Sequence, residues 1–285
     1  MTIRKIALAA AATAVGLSAV AYSAIWLLGE RIIARKYVTP PQDISAVSDP
    51  AVIAEGERLA NIAGCLGCHS AGLNGKPFGE EAFIYRSTTA NIPRLAAHYT
   101  DDDLARSIRH GVKKNGRSVI GMPSPAFFDM RDEDLVAIIS YARTLPDRGE
   151  NLPKSATWIR GRLELIQGLY PPEASTIKHR AKRRVYDFTK PVEHGAYLAR
   201  MACSECHGLD FTGDPTSDEP GSSPDLAIAG AYSLDQFAHL MKTGEPVGGR
   251  DLRLMDDVAR DRFSHFTGEE IAALHAFFAH RAETM

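Results

Sequence analysis

The first pattern along the chain is an uncharged run from Ile6 to Leu28, set between Arg4-Lys5 and the basic residues Arg31, Arg35 and Lys36. As a helix it extends roughly 34 Å, enough to cross the hydrocarbon core of a bilayer. Ala19-Val20-Ala21 has the small-x-small form of a signal-peptidase site, so a cleaved signal peptide is the competing reading. The run stays apolar through Ile25, Trp26, Leu27 and Leu28, where a cleaved peptide has usually turned polar, and Trp26 suits an interfacial position. Residues 1–44 are therefore expected to be an uncleaved transmembrane anchor with a short linker.

Beyond residue 44 the periodicity is helical. Asp101-Asp102-Asp103 lead into Leu104, Ile108 and Val112, with Gly111 as the stop. Asp132-Glu133-Asp134 lead into Leu135, Ile138, Ile139 and Ala142, before Leu145-Pro146. Later, Leu234, Phe237, Leu240 and Met241 precede Gly244. Thr267 and Glu270 form a capping-box pattern ahead of Ile271, Leu274, Phe277 and Phe278. No convincing run of strand alternation occurs, and the fold class is all-α. Between Pro146 and Pro191 lies a long connector with one expected helix, Ser155 to Leu169, ending at Pro171-Pro172. It carries the one dense basic run, Lys178 to Arg184, read as a solvated linker, or else as a docking patch or charge compensation for a cofactor.

The helical patterns come in a repeat. Gly56-Glu-Arg-Leu59-Ala60 matches Gly195-Ala-Tyr-Leu198-Ala199, and Tyr141 and Phe277 hold the same place in the closing helices. The expected division is a first domain over 45–147, a connector over 148–190 and a second domain over 191–285. Each half has few helices, too few for a large core alone, and a bulky apolar group inside each would complete it.

Composition sharpens this picture. The chain has 285 residues with a formal charge of −2, so no basic field draws it to nucleic acid. Its four cysteines fall as Cys65-Leu-Gly-Cys68-His69 and Cys203-Ser-Glu-Cys206-His207, which leaves nothing for a disulfide framework. In Cys-x-x-Cys-His two thiols reach the two vinyl groups of one haem, and the adjacent histidine places an imidazole nitrogen on iron. Two such motifs at matching places point to two covalent haem c groups. A single zinc site would join the motifs but would not explain the repeat, and a thioredoxin-like dithiol lacks its βαβ context. Cys65, Cys68, Cys203 and Cys206 are the attachment residues, and His69 and His207 the proximal iron ligands. Pro77 and Pro215, each eight residues past the motif histidine, are candidate carbonyl acceptors for that ring's N–H.

The sixth ligand follows from position. Met122 and Met255 each lie 11 residues past a helix-ending glycine, Gly111 and Gly244, between the last two helices of their half. Met130 and Met241 compete, but one sits close to the next helix and the other within an apolar helical face. A His/Met pair raises the reduction potential and leaves no open position on the iron. The other histidines (His98, His110, His179, His194, His239, His265, His275 and His280) read as surface or packing residues.

In this order of motif, helix, methionine and closing helix, the chain resembles the c-type cytochromes with class I haem domains, in duplicate. Gly75-Lys-Pro77-Phe78, Asn91-Ile92-Pro93, Ile108-Arg109-His-Gly111, Met122-Pro123 and Phe263-Ser-His-Phe266-Thr-Gly-Glu-Glu-Ile271 are similar to the cytochrome subunits serving periplasmic alcohol, aldehyde and sugar dehydrogenases. The chain departs from that family in lacking the usual Thr between Ile92 and Pro93, and in having two motifs where many members have three.

The resemblance implies an electron carrier or carrier subunit rather than an enzyme. Its donor would be a dehydrogenase or quinol-oxidising complex, and its acceptor an oxidase or soluble cytochrome, with no nucleic acid and no small-molecule substrate. Haem attachment takes place outside the bacterial cytoplasm, so the haem domains are expected in the periplasm, on an inner-membrane anchor or soluble after cleavage. The alternative is a haem enzyme, such as a dihaem peroxidase or a thiosulfate-oxidising cytochrome. The latter often uses a further cysteine on iron, and none remains.

Overall fold

The uncharged N-terminal run forms part of one continuous helix, α1 (Ile3–Ile33), 31 residues and about 46 Å long. It is long and apolar enough to cross a membrane, and none of that apolar stretch is buried. The computed structural model describes residues 2–177, 182–213 and 223–284.

The first half contains α2 (Pro50–Ile62), the single turn α3 (Cys65–His69), α4 (Ile92–Ala96), α5 (Asp101–His110), α6 (Ser124–Phe127) and α7 (Asp132–Thr144). Asp49 caps α2 by accepting from the Ala51 N–H at 2.8 Å, with Pro50 preset for the first helical position. On α5, Thr100 and Asp103 cap each other reciprocally, and Gly111 ends the helix at φ 63°. Helices α2 and α7 pack so closely that a Cβ at Gly56 would overlap the Ala137 carbonyl.

The all-α expectation needs a correction. A three-stranded antiparallel sheet in the order β1-β2-β3 joins β1 (Pro77–Glu81), β2 (Tyr85–Thr88) and β3 (Ala156–Thr157). The aromatic and β-branched residues around Tyr85–Thr88 favour extended backbone, but these strands are too short for alternation to announce them. The third strand also takes the start of the expected connector helix. That helix, α8 (Ile159–Gln167), begins after Trp158 rather than at Ser155, because Ala156 and Thr157 pair with Arg86 and Tyr85.

The connector packs on its neighbours. On α8, Arg162 is buried; it bonds the Glu30 carboxylate at 3.0 Å and stacks 3.9 Å over the Trp26 ring. A Cβ at Gly29 would lie 2.7 Å from the Arg162 Cβ, so the connector holds the end of α1 directly. Next comes α9 (Glu173–Ile177), lying against the turn that ends α5.

Burial pushes the Glu173 carboxyl up from 4.5 to about 7, partly opposed by a backbone hydrogen bond from Gly121. The folded state therefore holds this proton more tightly than the unfolded chain does. The stabilisation is complete below pH 4.5 and is lost as pH rises through about 7. Thermal denaturation across that window is expected to show this fall in the wild type and a flatter profile in Glu173→Gln. Identical profiles would remove Glu173 as the cause.

The second half contains α10 (Pro191–Ala202), α11 (Ser204–His207), α12 (Leu234–Thr243), α13 (Leu254–Asp261) and α14 (Gly268–Thr284). It repeats the close crossing: a Cβ at Gly195 would overlap the Ala273 carbonyl, as Gly56 does at Ala137. Phe277 backs this contact where Tyr141 backs the first. Leu59, Ile62, Leu135 and Ile139 share one buried cluster with Leu198, Met201, Ile271 and Leu274, so the halves are joined through a common core.

Candidate haem sites

Each Cys-x-x-Cys-His sequence is placed by the end of a long helix. Gly64, at φ 76°, turns the chain out of α2 into the single turn α3, and α10 passes through Cys203 into α11. One helical turn puts the first cysteine and the histidine four residues on along the same side. None of the four cysteines is in a disulfide. Burial pushes the Cys65 thiol up to about 11 and the Cys203 thiol up to about 12, and raises Cys68 and Cys206 as well. Unligated, these thiols are therefore held in their neutral form. Among the described residues, no three His, Cys, Asp or Glu side chains gather to hold a metal ion.

The histidines are oriented alike. The His69 Nδ1–H donates to the Ala90 carbonyl and the His207 Nδ1–H to the Pro224 carbonyl, both at 2.8 Å. Burial lowers both ring pKa values and favours the neutral rings, in which Nε2 is left as a lone-pair nitrogen able to ligate. The acceptor expected at Pro77 is therefore Ala90: Pro77 starts β1, while Ala90 lies on the loop that returns to the histidine. Pro215 lies outside the described residues, and Pro224 is the acceptor in the second half.

The sequence reading missed both carbonyls, yet a signal exists. Each acceptor precedes a helix cap: Asn91 accepts from the Arg94 N–H at 2.9 Å and Asp225 from the Ala227 N–H at 2.7 Å. Arginine ties both loops down, through Arg94 to Asp147 at 2.8 Å and Arg281 to Asp225 at 3.1 Å.

Met122 lies in the loop that leads through Pro123 into α6, and its carbonyl accepts from the Ser124 N–H at 2.7 Å. Met255 lies in the first turn of α13, a short helix between α12 and α14 that begins at Leu254. Both are partly buried against the main core. Met130 and Met241 are buried core side chains, and the Met130 carbonyl serves Arg109 and Arg183.

Several other histidines have partners of their own. His110 meets the Phe128 ring edge-on and is lowered to about 4 by burial and then by Arg109. His194 stacks on Phe188, and His275 bonds the Tyr232 carbonyl at 2.7 Å. His179 and the stretch 178–181 of the basic run lie outside the described residues. Residues 182–184 are exposed, as a solvated linker would be, and two of them also have partners: Arg183 pairs with Asp132 at 2.8 Å, and Arg184 lies over Tyr186.

Each motif-bearing helix contacts the closing helix of the other half. From α2, Arg58 forms a fork with Glu270 at 2.8 and 2.9 Å. From α10, the Tyr197 hydroxyl donates to Asp134. Arg58 and Tyr197 occupy equivalent places in the repeat, as do Asp134 and Glu270, so each half grips the closing helix of the other. Such exchange is the signature of a two-fold interface.

Residues 51–141 match the family described as cytochrome C oxidase, cbb3-type, subunit III. The gluconate 2-dehydrogenase cytochrome c subunit of Pantoea cypripedii is 28% identical over 177 residues, covering 56% of this chain and 38% of that protein. The cytochrome c subunit of alcohol dehydrogenase (quinone) from Gluconobacter oxydans (strain 621H) is 27% identical over 206 residues, 67% of this chain and 42% of its own. The corresponding subunit from Komagataeibacter europaeus is 25% identical over 259 residues, 80% of this chain and 55% of its own. The chain thus spans about half the length, or less, of these relatives. It carries a cytochrome c domain and is homologous to cytochrome c subunits of quinone alcohol and gluconate dehydrogenases.

Proposed function

We propose that the chain is a membrane-anchored dihaem cytochrome c that passes single electrons between redox proteins at the periplasmic face of the inner membrane. The observation that carries this reading is the duplicated histidine: both motif rings donate their Nδ1–H to a loop carbonyl at 2.8 Å and present Nε2. Two class I haem domains, over 45–147 and 191–285, account for the repeated crossings at Gly56 and Gly195. Residues 148–190 connect them, and residues 1–44 supply anchor and linker.

Haem c, when bound, supplies a one-electron Fe(III)/Fe(II) couple. Cys65 and Cys68 would hold the first haem and Cys203 and Cys206 the second, with His69 and His207 as proximal ligands. Met122 and Met255 would supply thioether ligands as well, which favour the reduced state and would close both irons to substrates. The Ala90 and Pro224 carbonyls fix the ring orientation, so little reorganises when the charge changes. The relatives suggest an alcohol- or gluconate-oxidising dehydrogenase as donor, and a membrane quinone, oxidase or soluble cytochrome as acceptor. The anchor would confine the carrier to the surface where those partners work.

Carbon monoxide added to the reduced protein at neutral pH tests the closed sites. Both haem spectra are expected to stay unchanged in the wild type. Met122→Ala and Met255→Ala should each lose one sulfur-to-iron charge-transfer band and bind the gas at one haem. Rapid binding by the wild type would favour a haem enzyme with an open position.

A further inference from the structure

Arg262 follows α13 and lies where the two motif-bearing helices converge, its side chain only 15% exposed. Its Nε and Nη2 donate to the carbonyl of Ile62, the last residue of α2, at 3.2 and 3.1 Å. Nη2 also donates to the carbonyl of Ala202, the last residue of α10, at 3.3 Å. Nη1 lies 3.4 Å from a carboxylate oxygen of Glu205, inside the second motif. The guanidinium covers the turn into the first motif, for a Cβ at Gly64 would lie 2.6 Å from its Cζ.

Two helix C-termini, each with negative partial charge, thus end on one cation. In the repeat that pairs Leu135 with Ile271, Arg262 corresponds to Ala126, which is buried and uncharged. The second half alone contributes this charge, and it places it at both motifs.

We propose that Arg262 is a shared electrostatic control of the two attachment sites, one fixed positive charge that raises the reduction potential at both. An oxidised site carries one more positive charge than a reduced one, so a nearby cation disfavours losing the electron. A largely buried charge is also poorly screened by salt.

This inference rests on the proposal that both motifs carry haem, so covalent haem per chain is counted first. Finding one haem in the wild type would overturn that reading rather than the role of Arg262. Spectroelectrochemical titration of the full-length protein in detergent then compares wild type, Arg262→Gln, Arg262→Lys and Glu205→Gln. Arg262→Gln is expected to lower both midpoints, each by about a tenfold change in the oxidised-to-reduced ratio at fixed potential, which is 59 mV for a one-electron couple. Arg262→Lys keeps the charge and should stay near the wild type, and Glu205→Gln should raise both midpoints.

With two haems present, unmoved midpoints in Arg262→Gln, or a shift at one site alone, would reduce Arg262 to a structural strut. If Arg262→Gln fails to take up haem, Glu205→Gln decides: the absence of any upward shift overturns the proposal.

Discussion

Replacing Cys203 and Cys206 together with alanine is expected to lower covalent haem from two per chain to one. The remaining haem should keep the absorption spectrum of its wild-type site. The reason is local: each motif lies on its own helical turn, with its own loop carbonyl for the histidine, at Ala90 and at Pro224. Neither cysteine pair depends on the other for attachment. Cys65→Ala with Cys68→Ala should give the mirror result. The halves do share a core, so both variants should also melt at lower temperature, since an apolar cofactor lost from one half withdraws support from the other. Mass spectrometry of the intact chain reads the haem count directly. Loss of both haems from either double variant would contradict independent attachment.

The second large effect is expected at Gly56 and Gly195. On helix propensity alone, Gly→Ala inside a helix gains about 1 kcal/mol. Here the new methyl would meet a backbone carbonyl, Ala137 or Ala273, that cannot rotate away. Overpacking of this kind typically costs about 1–3 kcal/mol, and a rigid neighbour puts these sites at the upper end, so the clash wins. Gly56→Ala and Gly195→Ala should each lower the melting temperature, with Gly268→Ala as a control, because nothing lies within 4 Å of a Cβ there. Equal stability in all three would mean that α2 and α7, or α10 and α14, are less close than described.

What the sequence made legible was local or periodic. The acidic helix start at Asp101–Asp103, the cap at Thr267, the stops at Gly111 and Gly244 and the repeated Gly-x-x-Leu-Ala all depend on residues within a few positions of one another. The motifs are legible for the same reason, since one helical turn carries each. What stayed hidden depends on contacts between distant segments. Ala90 reaches His69 across 21 residues, Tyr197 reaches Asp134 across 63 and Arg58 reaches Glu270 across 212. The sheet was missed because β3 is two residues long and pairs with a strand from the other side of the first half. The glycine spacing of Met255 matches that of Met122 but does not show that the chain there is helical, from Leu254.

Anaerobic reductive titration of the intact, fully oxidised protein tests the central claim most directly. A dihaem carrier with closed sites takes up two electrons per chain in one-electron steps, and the reduced product does not bind carbon monoxide. Uptake of one electron per chain, or rapid binding of the gas by the reduced wild type, would contradict it.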